Sequence, residues 1–398
     1  MSRQQRRAAD RRLKKLRHRI SLAAGEGVGR AVAFTFALAA APSFAADDEG
    51  KNEEFSLPPV VVREQSNPYN VPQTSLPKIP EPLKDVPQSI TIIPEKILEE
   101  RAATSFRDAL RNVPGIGIQA GEGGGAQGDN LTLRGFNARN DIFLDGGRDQ
   151  GTYFRDVFNL DSVEVLKGPS SMYFGRGSTG GIINQVSKTP RLDPSYGGVL
   201  SGGTPTFLRG TLDVNQPISP TSAFRFNAMV NKDDIAGRDI VDNKRMGFAP
   251  SIAFGIGTPT QITLSYLFQK EDNIPDYGFP YFKGRPLRTD RTHFYGLAED
   301  DIEKTWLHIG TLRVEHSFND QWNVRNTTRY SWDRRIAVPT RPTTTDGITI
   351  VRTRSLRDLT ESILSNQTDL TGKFETFGLK HTFVTGFDVT REVVDRTN

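Results

Sequence analysis

The chain has 398 residues, 36% of them hydrophobic, with 37 Gly, 24 Phe, no Cys and a mean hydropathy of −0.47, too polar for helical membrane spans. The lack of cysteine excludes thiol catalysis, zinc–thiolate sites and a disulfide scaffold. A formal charge of +4 and a pI near 9.1 would suit nucleic acid if the basic residues were spread out, but they crowd the first thirty positions and leave an acidic remainder.

That start holds Arg3, Arg6, Arg7, Arg11, Arg12, Lys14, Lys15, Arg17, Arg19 and Arg30, followed by an apolar run from Ala31 to Ala41 and by Ser43-Phe44-Ala45. Basic, apolar and small-residue regions in this order are the parts of an export leader, so residues 1–45 are expected to be a signal peptide cleaved after Ala45. A cytosolic amphipathic helix would need a polar face, which the apolar run lacks.

Residues 46–84 are acidic and then proline-rich, with Pro58, Pro59, Pro68, Pro72, Pro77, Pro80 and Pro82. A stretch with so few large apolar residues reads as a disordered tether. Inside it, Leu57-Pro58-Pro59-Val60-Val61-Val62 is strand-prone. It either pairs with the sheet edge of another chain or joins the next domain as an ordinary strand.

Residues 85–190 read as a compact α/β unit. Ile90 to Ile93 suits a strand, Pro94 opens a helix carrying Ile97 and Leu98, and Thr104 is the expected N-cap of a second helix. The apolar face of that helix is Phe106, Ala109, Leu110 and Val113, stopped by Pro114-Gly115. Strands are expected at Ile116 to Gln119, Leu131 to Arg134, Asp141 to Leu144, Ser162 to Leu166 and Gly181 to Ser187. Two G-x-G-x-x-G stretches, Gly123 to Gly128 and Gly175 to Gly180, precede strands rather than opening helices, so neither has the context of a nucleotide loop. The five histidines are scattered without metal-ligand spacing, and no nucleophile and base arrangement stands out. Neither enzyme activity nor a cofactor is expected.

From 195 to 398 the pattern changes to long alternating strands. Phe224, Phe226, Ala228 and Val230 alternate with Arg225, Asn227, Met229 and Asn231, and Ile262, Leu264, Tyr266 and Phe268 alternate with polar residues. Such a dyad repeat suits a membrane barrel or an inverted soluble sandwich, and the connections decide between them. Nine strands are expected, near residues 196–204, 207–216, 222–232, 244–255, 260–271, 304–317, 321–335, 359–374 and 378–392. Short turns at Pro217 to Thr221, Gly257 to Pro259, Asn319-Asp320 and Glu375 to Gly378 alternate with longer polar loops, the layout of outer-membrane barrels. Trp322, Tyr330, Trp332, Phe374 and Phe377 near strand ends would form aromatic girdles. An odd number of strands, far short of the ~22 that close a plugged barrel, leads us to expect that further strands follow.

One ordered series is more specific: Asp85-Val86-Pro87-Gln88-Ser89, Asn112-Val113-Pro114-Gly115, Leu133-Arg134-Gly135-Phe136, Leu144-Asp145-Gly146, Val163-Glu164-Val165-Leu166-Lys167-Gly168-Pro169 and Gly180-Gly181-Ile182-Ile183-Asn184. At this order and spacing it resembles the plug domain of TonB-dependent siderophore receptors across residues 85–190, and the stretch from Asp156 to Lys188 looks most like the catecholate-type branch. The resemblance implies an α/β plug domain inside an antiparallel transmembrane β-barrel, with Leu57 to Val62 as the TonB box that pairs with the C-terminal domain of TonB. It also implies a ferric siderophore bound at apical plug and extracellular loops, and a barrel surrounded by outer-membrane lipid. Cobalamin, haem or a glycan is the alternative cargo. By the same resemblance Tyr153 and Phe154 present rings to the ligand, or else pack plug against barrel, and Arg139, Arg148 and Arg155 are cationic partners. Glu122 stands in the first apical loop, where some relatives have a basic residue. Arg134 and Lys167 match positions that dock the plug on barrel glutamates. A signalling transducer would carry an extra periplasmic domain, and a passive porin would lack the α/β unit.

Overall fold

The fold is that of a computed structural model describing residues 32–35, 67–119, 128–175 and 178–397. The proposed cleavage point and Leu57 to Val62 lie outside these residues, as does Glu122. Among the described residues no helix is long and apolar enough to cross a membrane.

Within the stretch read as a leader, Val32–Thr35 forms a four-residue strand, β1. The α/β unit then comprises β2 (Ser89–Pro94), α1 (Glu95–Glu100), α2 (Phe106–Leu110), β3 (Ile116–Ile118), β4 (Leu131–Leu133), β5 (Phe136–Asn137), β6 (Ile142–Leu144), β7 (Gly147–Arg148), β8 (Leu160–Lys167), α3 (Ser171–Phe174) and β9 (Gly181–Ser187). Its main sheet runs β2-β8-β9-β6-β7, with β6 and β9 parallel. The α2 face expected from the sequence forms the core: Phe106, Ala109 and Leu110 are fully buried against Leu131, Leu133, Val163 and Ile183. The N-cap is Ser105 rather than Thr104. Its side chain accepts from the Asp108 backbone N–H at 3.2 Å, while Thr104 Oγ1 donates to the Asp108 carboxylate. Two adjacent hydroxyls compete for one capping position, and the residue with extended backbone takes it.

Residues 67–84, assigned to the tether on composition, are packed. Leu76 and Ile79 are buried with Phe143, Leu166, Phe174 and Ile182 in a second core. Two well-placed apolar anchors suffice where a neighbouring surface is already built.

The wall consists of β10 (Ser195–Gly203), β11 (Phe207–Ser219), β12 (Ser222–Asp234), β13 (Asp242–Phe254) and β14 (Thr260–Asn273), then, past a small hairpin β15 (Tyr281–Phe282) and β16 (Arg285–Pro286), β17 (Ile302–Ser317) and β18 (Trp322–Val338). A second loop hairpin, β19 (Thr340–Thr343) and β20 (Val351–Arg354), precedes β21 (Arg357–Thr376) and β22 (Leu379–Thr397). Neighbouring wall strands pair antiparallel in one open sheet, and β1 adds to its first edge with Val32 opposite Gly202. Unpaired backbone groups on an edge strand attract just such an addition.

On β12 the odd-numbered residues from Ala223 to Asn231 face the α/β unit and are buried, whereas Phe224, Phe226, Ala228 and Val230 point outward. The inner face carries the charges, as a water-lined lumen requires. Outward rings form two bands. Phe248, Phe268, His308 and Trp332 stand opposite one another on successive strands. Nearer the short turns, Trp322 stacks on Phe374 with Phe383 beside it. At the usual strand tilt, Trp322 and Trp332 are about 25 Å apart along the membrane normal, the height of an outer-membrane apolar band. Between the bands, Asn326 and Asn366 exchange amide hydrogen bonds at 3.2 Å and donate again to Thr368 and Thr328, so these outward polar groups satisfy each other.

Candidate functional site

The loop after β7 carries Tyr153, Phe154 and Arg155, and it lies against the inner face of the wall. Tyr153 is only 3% exposed, packed with Leu144, Leu307 and Ile309, and its hydroxyl donates to Asp149 Oδ2 at 2.7 Å. The Arg155 guanidinium lies 4.3 Å from the Tyr153 ring centroid and donates from Nε to Asp149 Oδ2 at 2.8 Å. Its Nη2 reaches the carbonyls of Asp149 and Gly151, and its Nη1 stands 3.4 Å from Asp129 Oδ2, which also accepts the Arg155 backbone N–H.

Burial pushes the Asp149 carboxyl up, but the Arg155 charge and hydrogen bonds from Arg155 and Tyr153 more than reverse this and hold it below its usual value. Burial also raises Asp129, and there the more distant guanidinium nitrogen does not overcome it. Burial beside Asp149 lifts the Tyr153 phenol well above its ordinary value. The loop is thus a closed polar network, with Tyr153 and Arg155 saturated inside it. Neither presents itself to a ligand, which corrects the expectation for both.

The next residue docks the loop. Asp156 accepts from Arg209 Nη2 at 2.6 Å and Nη1 at 2.9 Å, with Arg245 at 3.2 Å. Burial would raise its carboxyl, but Arg209 and Arg245 bring it below the ordinary range. Gln269 Nε2 donates to the Phe154 carbonyl at 2.6 Å, Arg329 Nη1 to the Leu144 carbonyl at 2.7 Å, and Asp145 faces Arg313 and Arg329. Lys188, at the exit of the unit, bridges Glu95 at 2.6 Å and Asp213 at 2.9 Å. These residues dock the unit on the described wall strands. Arg134 is exposed in a left-handed turn conformation (φ 54°), and neither residue makes an ion pair with a wall strand among the described residues. Of the docking set, Leu144 and Asp145 lay in a motif quoted from the sequence, and Asp156 and Lys188 bounded the stretch likened to the catecholate-type branch.

Arg148 is turned to the unit itself, donating to the carbonyls of Asn140 and Phe174 and lying 5.0 Å from the Phe143 ring centroid. Arg139 and Phe154 remain accessible. The Phe154 ring is half-buried under the Arg107 guanidinium at 5.1 Å. Arg139 is half-buried, donates to Thr152 Oγ1 at 3.0 Å and has no ion-pair partner among the described residues. Burial, and then the nearby Arg335 charge, lower its pKa. Glu361 acts the other way, so Arg139 is a partly desolvated guanidinium between a wall cation and a wall carboxyl group. Among the described residues no grouping of His, Asp and Glu could hold a metal ion.

An α/β unit seated by buried ion pairs against an antiparallel wall, greasy outside and charged inside, defines a plugged outer-membrane receptor. Residues 82–182 match the family described as the TonB-dependent receptor plug domain. The chain is 40% identical over 362 residues to the catecholate siderophore receptor Fiu of Escherichia coli O157:H7, covering 83% of this chain and 47% of that protein. It is 37% identical over 355 residues to the probable TonB-dependent receptor BfrD of Bordetella pertussis, covering 85% and 48%. Among solved structures, the siderophore receptor PiuA from Acinetobacter baumannii superposes with a TM-score of 0.79 at 34% identity, covering 82% of this chain and 48% of that one. The open form of the ferric-catecholate import receptor Fiu from E. coli K12 gives 0.75 at 37% identity, covering 81% and 52%. The chain belongs to the TonB-dependent receptors, and it spans about half the length of the curated relatives it matches.

Proposed function

We propose that the receptor carrying this chain sits in the outer membrane and imports a ferric siderophore of the catecholate class, using energy delivered through TonB. The observation that carries the reading is Arg139: a half-buried cation that donates to the Thr152 hydroxyl and lies near Arg335 of the wall, while the Phe154 ring, two residues on from Thr152, stays half-buried under Arg107. A ferric tris-catecholate is anionic and aromatic, so it complements both groups. Arg148, Tyr153 and Arg155 support that surface from beneath. The leader supplies export and takes β1 with it on cleavage, so the wall of the exported receptor starts at β10, and Leu57 to Val62 supplies a strand for the TonB sheet edge through main-chain hydrogen bonds.

The test is growth of an iron-starved host on single siderophores, with binding at the cell surface measured in parallel. Val61→Pro removes a donor and fixes φ near −65°. It should abolish uptake while leaving surface binding intact, and Val61→Ala should be mild. Growth on hydroxamates but not on catecholates would overturn the ligand class. Undiminished uptake by Val61→Pro would overturn the coupling segment.

A further inference from the structure

Glu164 lies on β8, inside the plug sheet, with a side chain 1% exposed and no ion-pair partner among the described residues. Its carboxylate accepts from Asn184 Nδ2 at 3.0 Å, from Thr74 Oγ1 at 2.8 Å and from the Ser75 backbone N–H at 2.7 Å. A carboxylate buried without a cation is tolerated only while its oxygens are hydrogen-bonded. Two of these donors come from the strap of residues 67–84, 90 and 89 positions earlier in the chain. The strap is held elsewhere by its apolar anchors Leu76 and Ile79, and by Lys78, which donates to the Tyr173 carbonyl and lies over the Phe174 ring. It also touches the wall, where Arg325 of β18 reaches the Ser75 carbonyl at 3.5 Å.

We propose that Glu164 is a positioning residue for the transport step, a latch that ties the stability of the central plug sheet to whether the strap is seated. The strap joins the plug directly to the N-terminal segment that holds Leu57 to Val62. Tension applied there reaches Thr74 and Ser75 before any plug strand. Once they leave, Glu164 keeps one amide donor inside an apolar sheet, and the sockets of Leu76 and Ile79 open beside Leu166 and Ile182. The cost falls on β8 and β9, whose pairing holds the middle of the plug, while the Asp156 dock on the wall stays closed. The proposal rests on the TonB-coupling reading above.

Hydrogen exchange on the intact receptor in membranes tests the latch. Thr74→Val removes one donor at nearly constant shape, and exchange should rise about tenfold or more in the strap and in β8 and β9 together. Thr74→Ser, which keeps the hydroxyl, should restore the wild-type pattern. A strap that loosens in Thr74→Val while β8 and β9 exchange at the wild-type rate overturns the proposal. For the transport step, Lys78→Cys with Tyr173→Cys adds a thiol pair to a chain that has none of its own, in a receptor whose remaining segments are first cleared of cysteine. Bridging them with a short, reducible bis-thiosulfonate fastens the strap without touching Glu164. Uptake should stop, surface binding of the ferric catecholate should persist, and reduction should restore uptake. Full uptake with the bridge closed overturns the latch. Undiminished uptake by Val61→Pro overturns the coupling reading separately, so the two failures are distinguishable.

Discussion

Arg209 of the wall donates both terminal nitrogens to the two oxygens of Asp156 on the plug, from side chains 8% and 0% exposed. A bidentate pair at this depth fixes orientation as well as distance. It places the loop 149–158 against β11 and β13, and Phe154 inherits its position from it.

Arg209→Ala should therefore loosen the plug by about 2 to 4 kcal/mol, because Asp156 stays buried with only Arg245 beside it. Arg209→Lys should recover little, since an ammonium cannot make the two parallel bonds. Denaturant unfolding of the plug, followed by protease accessibility, measures both. Equal midpoints for Arg209→Ala and wild type would remove the pair from the docking set.

Acid should undo the same contacts. Asp149 and Asp156 have lowered folded-state pKa values, so their contribution is complete above the unfolded value, about 3.9, and is lost as the pH falls through the folded values. Asp129 is raised by burial and runs the other way, its share being present at low pH and lost as the pH rises. The urea midpoint of the plug should hold or rise as the pH falls toward the unfolded carboxylate value and then drop as it falls through the lowered values of Asp149 and Asp156. A steady decline between pH 7 and 5 would contradict this assignment.

Tyr153 and Arg139 should separate stability from recognition. Tyr153→Phe deletes a buried hydrogen bond to a carboxylate and should cost about 1 to 3 kcal/mol with ligand affinity unchanged. Arg139→Ala should fold normally and weaken ferric catecholate binding about tenfold or more. Loss of affinity in a correctly folded Tyr153→Phe would return that ring to the binding surface.

Gly181 opens β9 at φ 128°, and a Cβ there would collide with the Leu166 carbonyl oxygen. Gly181→Ala should destabilise the plug by about 3 kcal/mol or more through strain and the lost fit. A thermal midpoint within a degree of wild type would show that β8 and β9 can separate freely.

What could be read in the sequence was what is local. Alternation placed every wall strand because the period of two is written in adjacent residues, as in Ala223 to Asn231. The ends of β17, β18 and β21 run past the expected bounds, since pairing continues into residues without a greasy face. The strap was illegible because its prolines dominate the composition and its partner Glu164 is some 90 positions away. Tyr153, Phe154 and Arg155 look alike as surface candidates in one dimension. Only the wall, through Leu307 and Ile309, decides that Tyr153 goes under and Phe154 stays half out.

Lys188 stands between plug and wall, clamped to Glu95 behind it and Asp213 ahead of it, and the first docking pairs follow on β11 and β13. The Lys188–Asp213 pair spans 25 residues and the Arg209–Asp156 pair 53, so both close loops that need no strand beyond β11. They become available as soon as β11 to β13 exist. In an assembly that follows chain order, a folded plug can therefore berth on these strands before any later strand is added.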